Sequence, residues 1–329
     1  MARDGFDRDI NYLRISLTDR CNLRCVYCMP TEGLTFFPDA ELLSAEEIQR
    51  VVEAAAELGF RKVRLTGGEP LLRRDVVDIV RRIAAVPGID DLAMTTNGLR
   101  LPELAVPLRE AGLKRVNLHV DSLDPERVER LMRWSRHADL WAGVEAAEAA
   151  GFAPIKLNAV IARGYNDDDV VPLARLTLER DWAVRFIELM PLGSGEESRF
   201  AIDHYVPNAE VRATIEAELG PLEALVNRDP SDEARNYRAP GGRGRIGFIS
   251  PVSQPYCGSC NRMRLTADGR FHLCLLHDDE IDLRSVLRAG GGRDAVREQL
   301  ARAVAAKPTG HALAEGQHTE LRRMHAIGG

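Results

Sequence analysis

The chain has 329 residues, of which 45% are hydrophobic and 29% are charged, and its formal net charge is -6. This is the composition of an ordinary globular protein, long enough for one large α/β domain and a smaller appendage. The acidic balance predicts no general attraction to nucleic acid or to a membrane, so a polyanionic ligand would need locally concentrated positive charge. The first ten residues carry charges and no apolar signal region. No apolar run approaches a length of about 20 residues, which a helix needs to span a bilayer. Both observations predict a cytoplasmic protein.

Short apolar strands alternate with amphipathic helices over the first two thirds of the chain. The predicted strands are Tyr12–Thr18, Lys62–Thr66, Asp91–Thr96, Arg115–Asp121, Ile155–Ile161 and Ala183–Leu189. The predicted helices are Ser44–Leu58, Asp75–Ala85, Pro102–Ala111, Pro125–Ala150 with a break, and Asp167–Arg180. Ser44 and Glu47 predict a capping box at the first helix, and Gly59 ends it. Strand–helix units of about 30 residues predict right-handed βαβ connections and a parallel sheet.

The predicted strands are polar on one face. Leu13 and Ile15 share one face of the first strand while Arg14 and Ser16 share the other, and the following strands repeat this alternation. Parallel strands covered by helices on both faces would be nearly continuous apolar runs. One face therefore meets helices and the other meets a polar cavity, which predicts an open, partial barrel with a wet lumen. Ala183–Leu189 fits the alternation poorly.

The character of the sequence changes after a helix predicted at Asn208–Leu219. Val226–Arg245 is rich in Asp, Arg, Pro and Gly and is predicted to be a linker or a long loop. We therefore expect a barrel domain over residues 1–230 and a smaller C-terminal domain over residues 231–329.

The C-terminal part is predicted to hold short elements and a loose tail. Its predicted elements are an Asp268-Gly269 turn between two strands and helices near Asp282–Ala289 and Arg293–Ala306. The tail from Lys307 to the terminal Gly328-Gly329 is expected to be loosely structured.

The six cysteines fall into two groups of three. Cys21, Cys25 and Cys28 follow the first predicted strand, and the second group lies at Cys257, Cys260 and Cys274. Because disulfides are rare in a reducing cytoplasm, two tight triplets predict two metal centres. A structural zinc site takes four ligands, whereas an iron–sulfur cube held by three cysteines keeps one iron open for a small-molecule chelate.

Zinc is the alternative at both triplets. The first could be a zinc knuckle with a distant fourth ligand, and the second a zinc ribbon completed by His272 or His277. The first triplet directly follows a barrel strand, where barrel enzymes place their chemistry, and this position favours the cube.

Two motifs resemble the radical S-adenosylmethionine (SAM) superfamily. They are the first triplet, with Tyr27 just before its last cysteine, and Thr66-Gly67-Gly68-Glu69-Pro70 after the second strand. Within that superfamily the chain resembles the GTP 3′,8-cyclase family from about residue 9 to the C-terminus. The segments that carry this resemblance are Arg14–Asn22, Val63–Arg73, Thr95–Gly98, Arg185–Pro191, Cys260–Leu265 and the terminal Gly-Gly.

The resemblance implies an α/β fold, namely a partial (β/α)6 TIM-like barrel with a C-terminal iron–sulfur-binding extension, and two [4Fe–4S] clusters. The SAM cluster would be held by Cys21, Cys25 and Cys28, and the auxiliary cluster, whose open iron meets guanine, by Cys257, Cys260 and Cys274. The implied SAM contacts are Tyr27, Gly68, His119 and Met190. The implied GTP contacts are Arg14, Arg64, Thr95, Lys156, Arg185, Arg262, Met263 and Arg264.

The implied reaction opens molybdenum cofactor biosynthesis. A 5′-deoxyadenosyl radical from SAM removes hydrogen from C3′ of GTP, and the C3′ radical attacks C8 of guanine, with no side chain as general acid or base. The implied partners are an electron donor, a second copy in a homodimer, and a cyclic pyranopterin monophosphate synthase that receives the product. The residues support this independently, because Arg14, Arg64 and Lys156 lie on the polar strand face, where guanidinium and ammonium groups suit a triphosphate.

Two features leave details open. His119 stands where the family usually has Ser, and the terminal glycines could thread into the active site or fray. The alternatives to a cyclase are a peptide-modifying radical SAM enzyme, which would not need Arg262 and Arg264 beside the second cluster, and a non-catalytic zinc-binding adaptor.

Overall fold

The computed structural model describes residues 2–227, 229–313 and 318–328. Within these ranges a twelve-stranded sheet forms the centre of the molecule. Its strands are β1 Tyr12–Ser16, β2 Lys62–Thr66, β3 Asp91–Thr96, β4 Arg115–His119, β5 Lys156–Ile161, β6 Ala183–Glu188, β7 Glu223–Ala224, β8 Ala234–Arg238, β9 Arg245–Ile249, β10 Arg262–Leu265, β11 Arg270–His272 and β12 Glu280–Asp282. The helices are α1 Ala45–Glu57, α2 Val76–Ala84, α3 Leu101–Glu110, α4 Pro125–Met132, α5 His137–Ala149, α6 Val170–Glu179, α7 Glu196–Asp203, α8 Asn208–Leu219, α9 Arg284–Arg288, α10 Arg293–Ala305 and α11 Met324–Ile327.

The strand order is β12-β11-β10-β1-β2-β3-β4-β5-β6-β9-β8-β7. Strands β1 to β6 are parallel neighbours, β10 pairs parallel with β1, and β9 pairs parallel with β6. The sheet does not close, which confirms the partial barrel. Strands from the last third of the chain therefore extend both edges of the barrel.

The core lies between the convex face of the sheet and the helices. Leu13, Ile15 and Leu65 are fully buried there, whereas the alternate strand residues point into the lumen. The predicted capping box is confirmed at α1, where Ser44 accepts from the backbone of Glu47 and the Glu47 carboxylate accepts from the backbone of Ser44.

Two predictions about the later part of the chain are wrong. Val226–Arg245 is not simply a linker, because it contains β8 and leads directly into β9. The tail is not loose over its described residues, because Thr319 and His325 are buried and residues Met324–Ile327 form the helix α11. Strands from both sides of residue 230 belong to one sheet, and the domain division there stays a prediction. Among the described residues, no helix has both the length and the apolar character that a bilayer crossing requires.

Candidate active site

The first cysteine triplet lies in the loop after β1 and lines a cavity of about 230 Å³. The cavity is built from residues at the carboxyl ends of the barrel strands, where parallel-barrel enzymes hold their ligands. All four predicted SAM contacts lie in its wall, namely Tyr27, Gly68, His119 and Met190. The structure thus brings the three thiols and the four predicted contacts to one place.

The glycine turn after β2 packs directly against the cysteine loop. The Gly68 amide donates to the Thr18 carbonyl oxygen at 2.7 Å, and a Cβ on Gly68 would lie 2.3 Å from the Arg20 carbonyl oxygen. Gly67, at φ +151°, would place a Cβ 2.6 Å from the Thr18 carbonyl oxygen. Only glycine permits this approach, so the motif fixes the wall of the cavity against the thiols.

The thiols of this triplet are ionised with difficulty on their own. Burial raises the pKa of Cys21 to about 11, with a further contribution from Glu69. Burial and the neighbouring Cys21 thiol raise the pKa of Cys28 to about 12, and burial and Cys28 raise that of Cys25 well above its usual value. Three adjacent half-buried thiols become thiolates when bound iron supplies positive charge, so this donor set fits an iron–sulfur cluster.

His119 is held in place by a buried carboxylate. Asp121 Oδ2 lies 2.9 Å from His119 Nε2 and 2.6 Å from the donating Tyr27 Oη. Burial alone would lower the pKa of His119, but the charge of Asp121 outweighs it and leaves that pKa raised. The histidine therefore presents a polar, easily protonated ring to the cavity beside Tyr27.

Glu69, in the glycine motif after β2, is a buried carboxylate. It accepts hydrogen bonds from the Leu71 amide at 2.9 Å, the Thr96 hydroxyl at 2.7 Å and the Asn97 amide at 2.8 Å. Burial raises the pKa of Glu69 to about 7. An oriented carboxylate in the cavity wall is suited to receive the ammonium group of an amino-acid-like ligand.

The second cysteine triplet lines a separate cavity together with four basic side chains. These are Arg262, Arg264, Lys307 and His311. Hydrogen bonding from His311 lowers the pKa of Cys257. Burial would raise the pKa of Cys260, but the charges of Lys307 and Arg262 outweigh it and leave it lowered. The positive surroundings therefore favour thiolates at Cys257 and Cys260, whereas burial raises the pKa of Cys274.

The side chains of the two histidines that would complete a zinc ribbon are paired with carboxylates. His272 Nδ1 lies 3.2 Å from Glu280, and His277 Nδ1 lies 3.6 Å from Asp279. His311, by contrast, lies beside the thiols and hydrogen-bonds Cys257. No local motif predicts this contact, because His311 comes from the tail. Over residues 2–227, 229–313 and 318–328, no three Cys, His, Asp or Glu side chains form a site for a single ion. In an iron–sulfur cube each thiolate binds a different iron, so its ligands need not converge on one point.

Strand register concentrates positive charge in the lumen. Arg14 on β1 stands directly beside Arg64 on β2 and beside Arg264 on β10. Burial and the charge of Arg264 lower the pKa of Arg14 to about 9, and burial and Arg185 lower that of Lys156 to about 7. Like charges at directly adjacent strand positions repel, so this lumen favours an anion.

A third cavity, of about 240 Å³, lies at the base of the barrel. Its basic lining consists of Lys62, Arg64, Arg115, Lys156, Arg185 and Arg262. Arg262 also lines the cavity of the second triplet, and Met190 lines the cavities of both triplets. The cavity of the second triplet therefore shares a lining residue with each of the other two cavities.

Most of the predicted GTP contacts lie in these cavities. Thr95 lines the first cavity and accepts from Arg64 Nη1 at 3.3 Å. The side chain of Met263 does not lie in these cavities, because it is fully buried in the hydrophobic core on the other face of β10. Lys62 was not assigned to the site, although it shares the polar face of β2 with Arg64 and lines the basic cavity.

The C-terminal tail returns to the lumen. Met324 and His325 line the first cavity, and Arg264 Nη1 donates to the Gly328 carbonyl oxygen at 2.8 Å. A Cβ on Gly328 would lie 2.5 Å from Thr66 Oγ1. Gly329, the other half of the predicted Gly-Gly tail, lies outside the described residues.

Comparison with protein families matches two models along the chain. The radical SAM superfamily model covers residues 15–177, and the molybdenum cofactor synthesis C model covers residues 182–313. Among solved structures, Streptococcus suis SuiB bound to S-adenosylmethionine has a TM-score of 0.57 at 13% identity, covering 88% of this chain and 68% of that chain. Methylornithine synthase has a TM-score of 0.52 at 18% identity, covering 64% and 62%. These structural likenesses show the shared fold.

Curated relatives match almost the whole length. GTP 3′,8-cyclase of Pelotomaculum thermopropionicum is 49% identical over 99% of this chain and 100% of that protein. The Moorella thermoacetica protein of the same name is 46% identical over 99% and 100%, and the Heliobacterium modesticaldum one is 47% identical over 99% of each. The chain belongs to the GTP 3′,8-cyclase family of radical SAM enzymes.

Proposed function

We propose that the chain converts GTP to (8S)-3′,8-cyclo-7,8-dihydroguanosine 5′-triphosphate, the first step of molybdenum cofactor biosynthesis. The observation that carries the proposal is the junction of two thiol-lined cavities with one basic lumen, through Met190 and Arg262. A triphosphate in the lumen would place its nucleoside between the two triplets. When bound, the first cluster and SAM supply the radical that removes hydrogen from C3′.

The side chains of the first cavity would bind and orient SAM. The carboxylate of Glu69, fixed by three hydrogen bonds, faces the cavity as an acceptor for the SAM ammonium group. The Gly68 backbone lies close enough to the cysteine loop to leave no room for a competing side chain. His119 and Tyr27 supply polar atoms for the rest of the ligand.

The side chains of the lumen would hold the triphosphate and shield it from water. Arg14, Arg64 and Arg264 stand at adjacent positions and are buried enough to interact strongly with phosphate oxygens. Lys156 and Arg185 line the basic cavity below them. These cations orient GTP, and the chain needs no acid–base residue for hydrogen-atom transfer.

The proposal extends to partners and location. We expect a cytoplasmic enzyme, working as a homodimer, that takes electrons from a low-potential donor and passes its product to a cyclic pyranopterin monophosphate synthase.

The test is anaerobic incubation of reconstituted protein with GTP, SAM and dithionite. Mass spectrometry should detect 5′-deoxyadenosine together with an isomer of GTP, and iron and sulfide analysis should give two [4Fe–4S] clusters per chain. A Cys257→Ser variant should keep the first cluster and lose cyclisation. Protein that carries zinc and no sulfide, or that forms no GTP isomer with both clusters intact, would overturn the proposal.

A further inference from the structure

Residues 229–233, between β7 and β8, form an acidic segment that reaches into the basic cavity. Asp229, Asp232 and Glu233 all line that cavity, together with cations predicted to bind phosphate. The composition of this stretch predicts a linker or a long loop.

Each carboxylate of the acidic segment faces a basic side chain of the lumen. Glu233 Oε2 lies 2.6 Å from Arg262 Nη2, and the same nitrogen donates to the Ser231 carbonyl oxygen at 2.9 Å. Arg185 lies 3.7 Å from Asp232 and 4.0 Å from Glu233. Asp229 accepts a hydrogen bond from Lys62. The segment therefore makes the contacts that the oxygens of a phosphate group would make.

Glu233 stands deepest in the cluster of cations. Its side chain is 16% exposed and that of Arg262 is 7% exposed, so their ion pair is shielded from water. Burial alone would raise the pKa of Glu233, but Arg262, Arg185 and Arg64 outweigh it and hold that pKa well below its usual range. The carboxylate is thus a permanent negative charge among the guanidinium groups.

Substrate and product of the proposed reaction carry the same triphosphate. Binding energy from the phosphates is equal before and after the ring closes, so it lowers KM without speeding the chemistry. A lumen of unopposed cations would also retain the product. An internal anion that competes for the same cations would weaken the binding of both GTP and the cyclised product. The same anion would form ion pairs with the cations once the product has left.

We propose that Glu233, with Asp232, is an internal competitor for the triphosphate and sets the affinity of the site for polyphosphates. This inference rests on the proposed function. The carboxylate pairs with Arg262 in the free enzyme and gives it up to phosphate when GTP binds. Because the repulsion between Glu233 and a ligand grows with the ligand's charge, the effect is largest for a triphosphate.

The test compares equilibrium binding of GTP, GDP and GMP to the reconstituted full chain under anaerobic conditions. Glu233→Gln removes the charge and keeps the shape, and it should bind GTP at least about tenfold more tightly than the wild type. The gain should be smaller for GDP and smallest for GMP. Glu223→Gln, on the exposed strand β7, is the matched control and should bind all three like the wild type.

If the Glu233→Gln variant loses its native melting transition or its iron, the Asp232→Asn variant serves for the same test. Asp232→Asn should show a smaller gain in GTP affinity. Unchanged GTP binding in a natively folded Glu233→Gln variant would overturn the inference. Weaker binding, as expected if Glu233 read the guanine base, or an equal gain for all three nucleotides would also overturn it. A wild type that binds no GTP would instead refute the proposed function, and the inference with it.

Discussion

Lys156 makes the charge of the lumen depend on pH and on its ligand. Burial and the charges of Arg185, Arg115 and Arg64 lower its pKa to about 7, against a smaller opposing effect of Asp232. A bound phosphate favours the charged amine and would raise that pKa again, so GTP binding takes up a proton above pH 7. We expect GTP affinity to fall about tenfold between about pH 7 and pH 8.5.

Calorimetric titration with GTP in buffers of different ionisation enthalpy measures this proton uptake. The Lys156→Met variant should bind GTP more weakly, and its binding should lack the proton uptake that the Lys156 amine causes in the wild type. Equal uptake in the wild type and in Lys156→Met would assign the proton to another group.

His119 is expected to be replaceable by a small polar residue but not by an apolar one. Its ring lies 2.9 Å from Asp121, whose buried carboxylate would lose a partner in a leucine variant. His119→Ser should retain activity. His119→Leu should bind SAM at least about tenfold more weakly, because the buried Asp121 carboxylate beside the cavity is left less well paired. Equilibrium binding of SAM to the reconstituted variants measures this, and wild-type affinity in His119→Leu would remove the residue from the SAM site.

Sequence motifs locate the residues of this site where chemistry restricts residue type and spacing. Cys21, Cys25 and Cys28 belong to that class, as does Gly68, whose backbone contact excludes a Cβ. Lys307 and His311 do not belong to it, since they reach the second triplet only through the path of the tail. No local pattern records a contact between segments so far apart in the sequence.

The end of the C-terminal tail fits against β1 and β2 only with glycine at position 328. Gly328 has a φ of +86°, and a Cβ there would meet Thr66 Oγ1 at 2.5 Å and Ser16 Cβ at 3.0 Å. Gly328→Ala is therefore expected to displace the tail from the lumen and reduce turnover about tenfold or more, because alanine is strained at positive φ and has no room. Cyclised product per minute, measured at equal cluster content, tests this.

Leu321→Ala is the matched control for the tail. Leu321 belongs to the same segment but is 80% exposed, so its truncation should leave turnover unchanged. Wild-type turnover in Gly328→Ala would mean that the end of the tail plays no part in the reaction.

Strands β1 to β6 could be predicted because apolar and polar residues alternate along most of them. Strand β8 could not, since its residues Arg235, Asn236 and Arg238 are polar and its pairing with β9 and β7 stabilises it instead. The helix α7 was missed for a similar reason, as Glu196–Asp203 is mostly polar with a short apolar stripe.

At the scale of the whole molecule, the barrel depends on strands from the end of the chain. β10 pairs with β1 and β9 pairs with β6, so residues 1–230 alone would leave both β1 and β6 as open edges. We expect a fragment of residues 1–230 to aggregate or to lack a cooperative melting transition. Size-exclusion chromatography and thermal circular dichroism test this against the full chain, and a monomeric, cooperatively melting fragment would support an independent domain.

The cavity of the second triplet shares lining residues with the first cavity and with the basic cavity. In the proposed function the first triplet and its glycine turn would form the SAM side, the second triplet would form the guanine side, and the lumen cations would hold the triphosphate. C3′ of the ribose would then face the SAM side.

Incubation with GTP that carries deuterium at C3′ tests that placement most directly. Under anaerobic turnover with SAM and dithionite, deuterium should appear in 5′-deoxyadenosine in proportion to the cyclised product. Formation of 5′-deoxyadenosine without deuterium, or transfer from another ribose position, would contradict it.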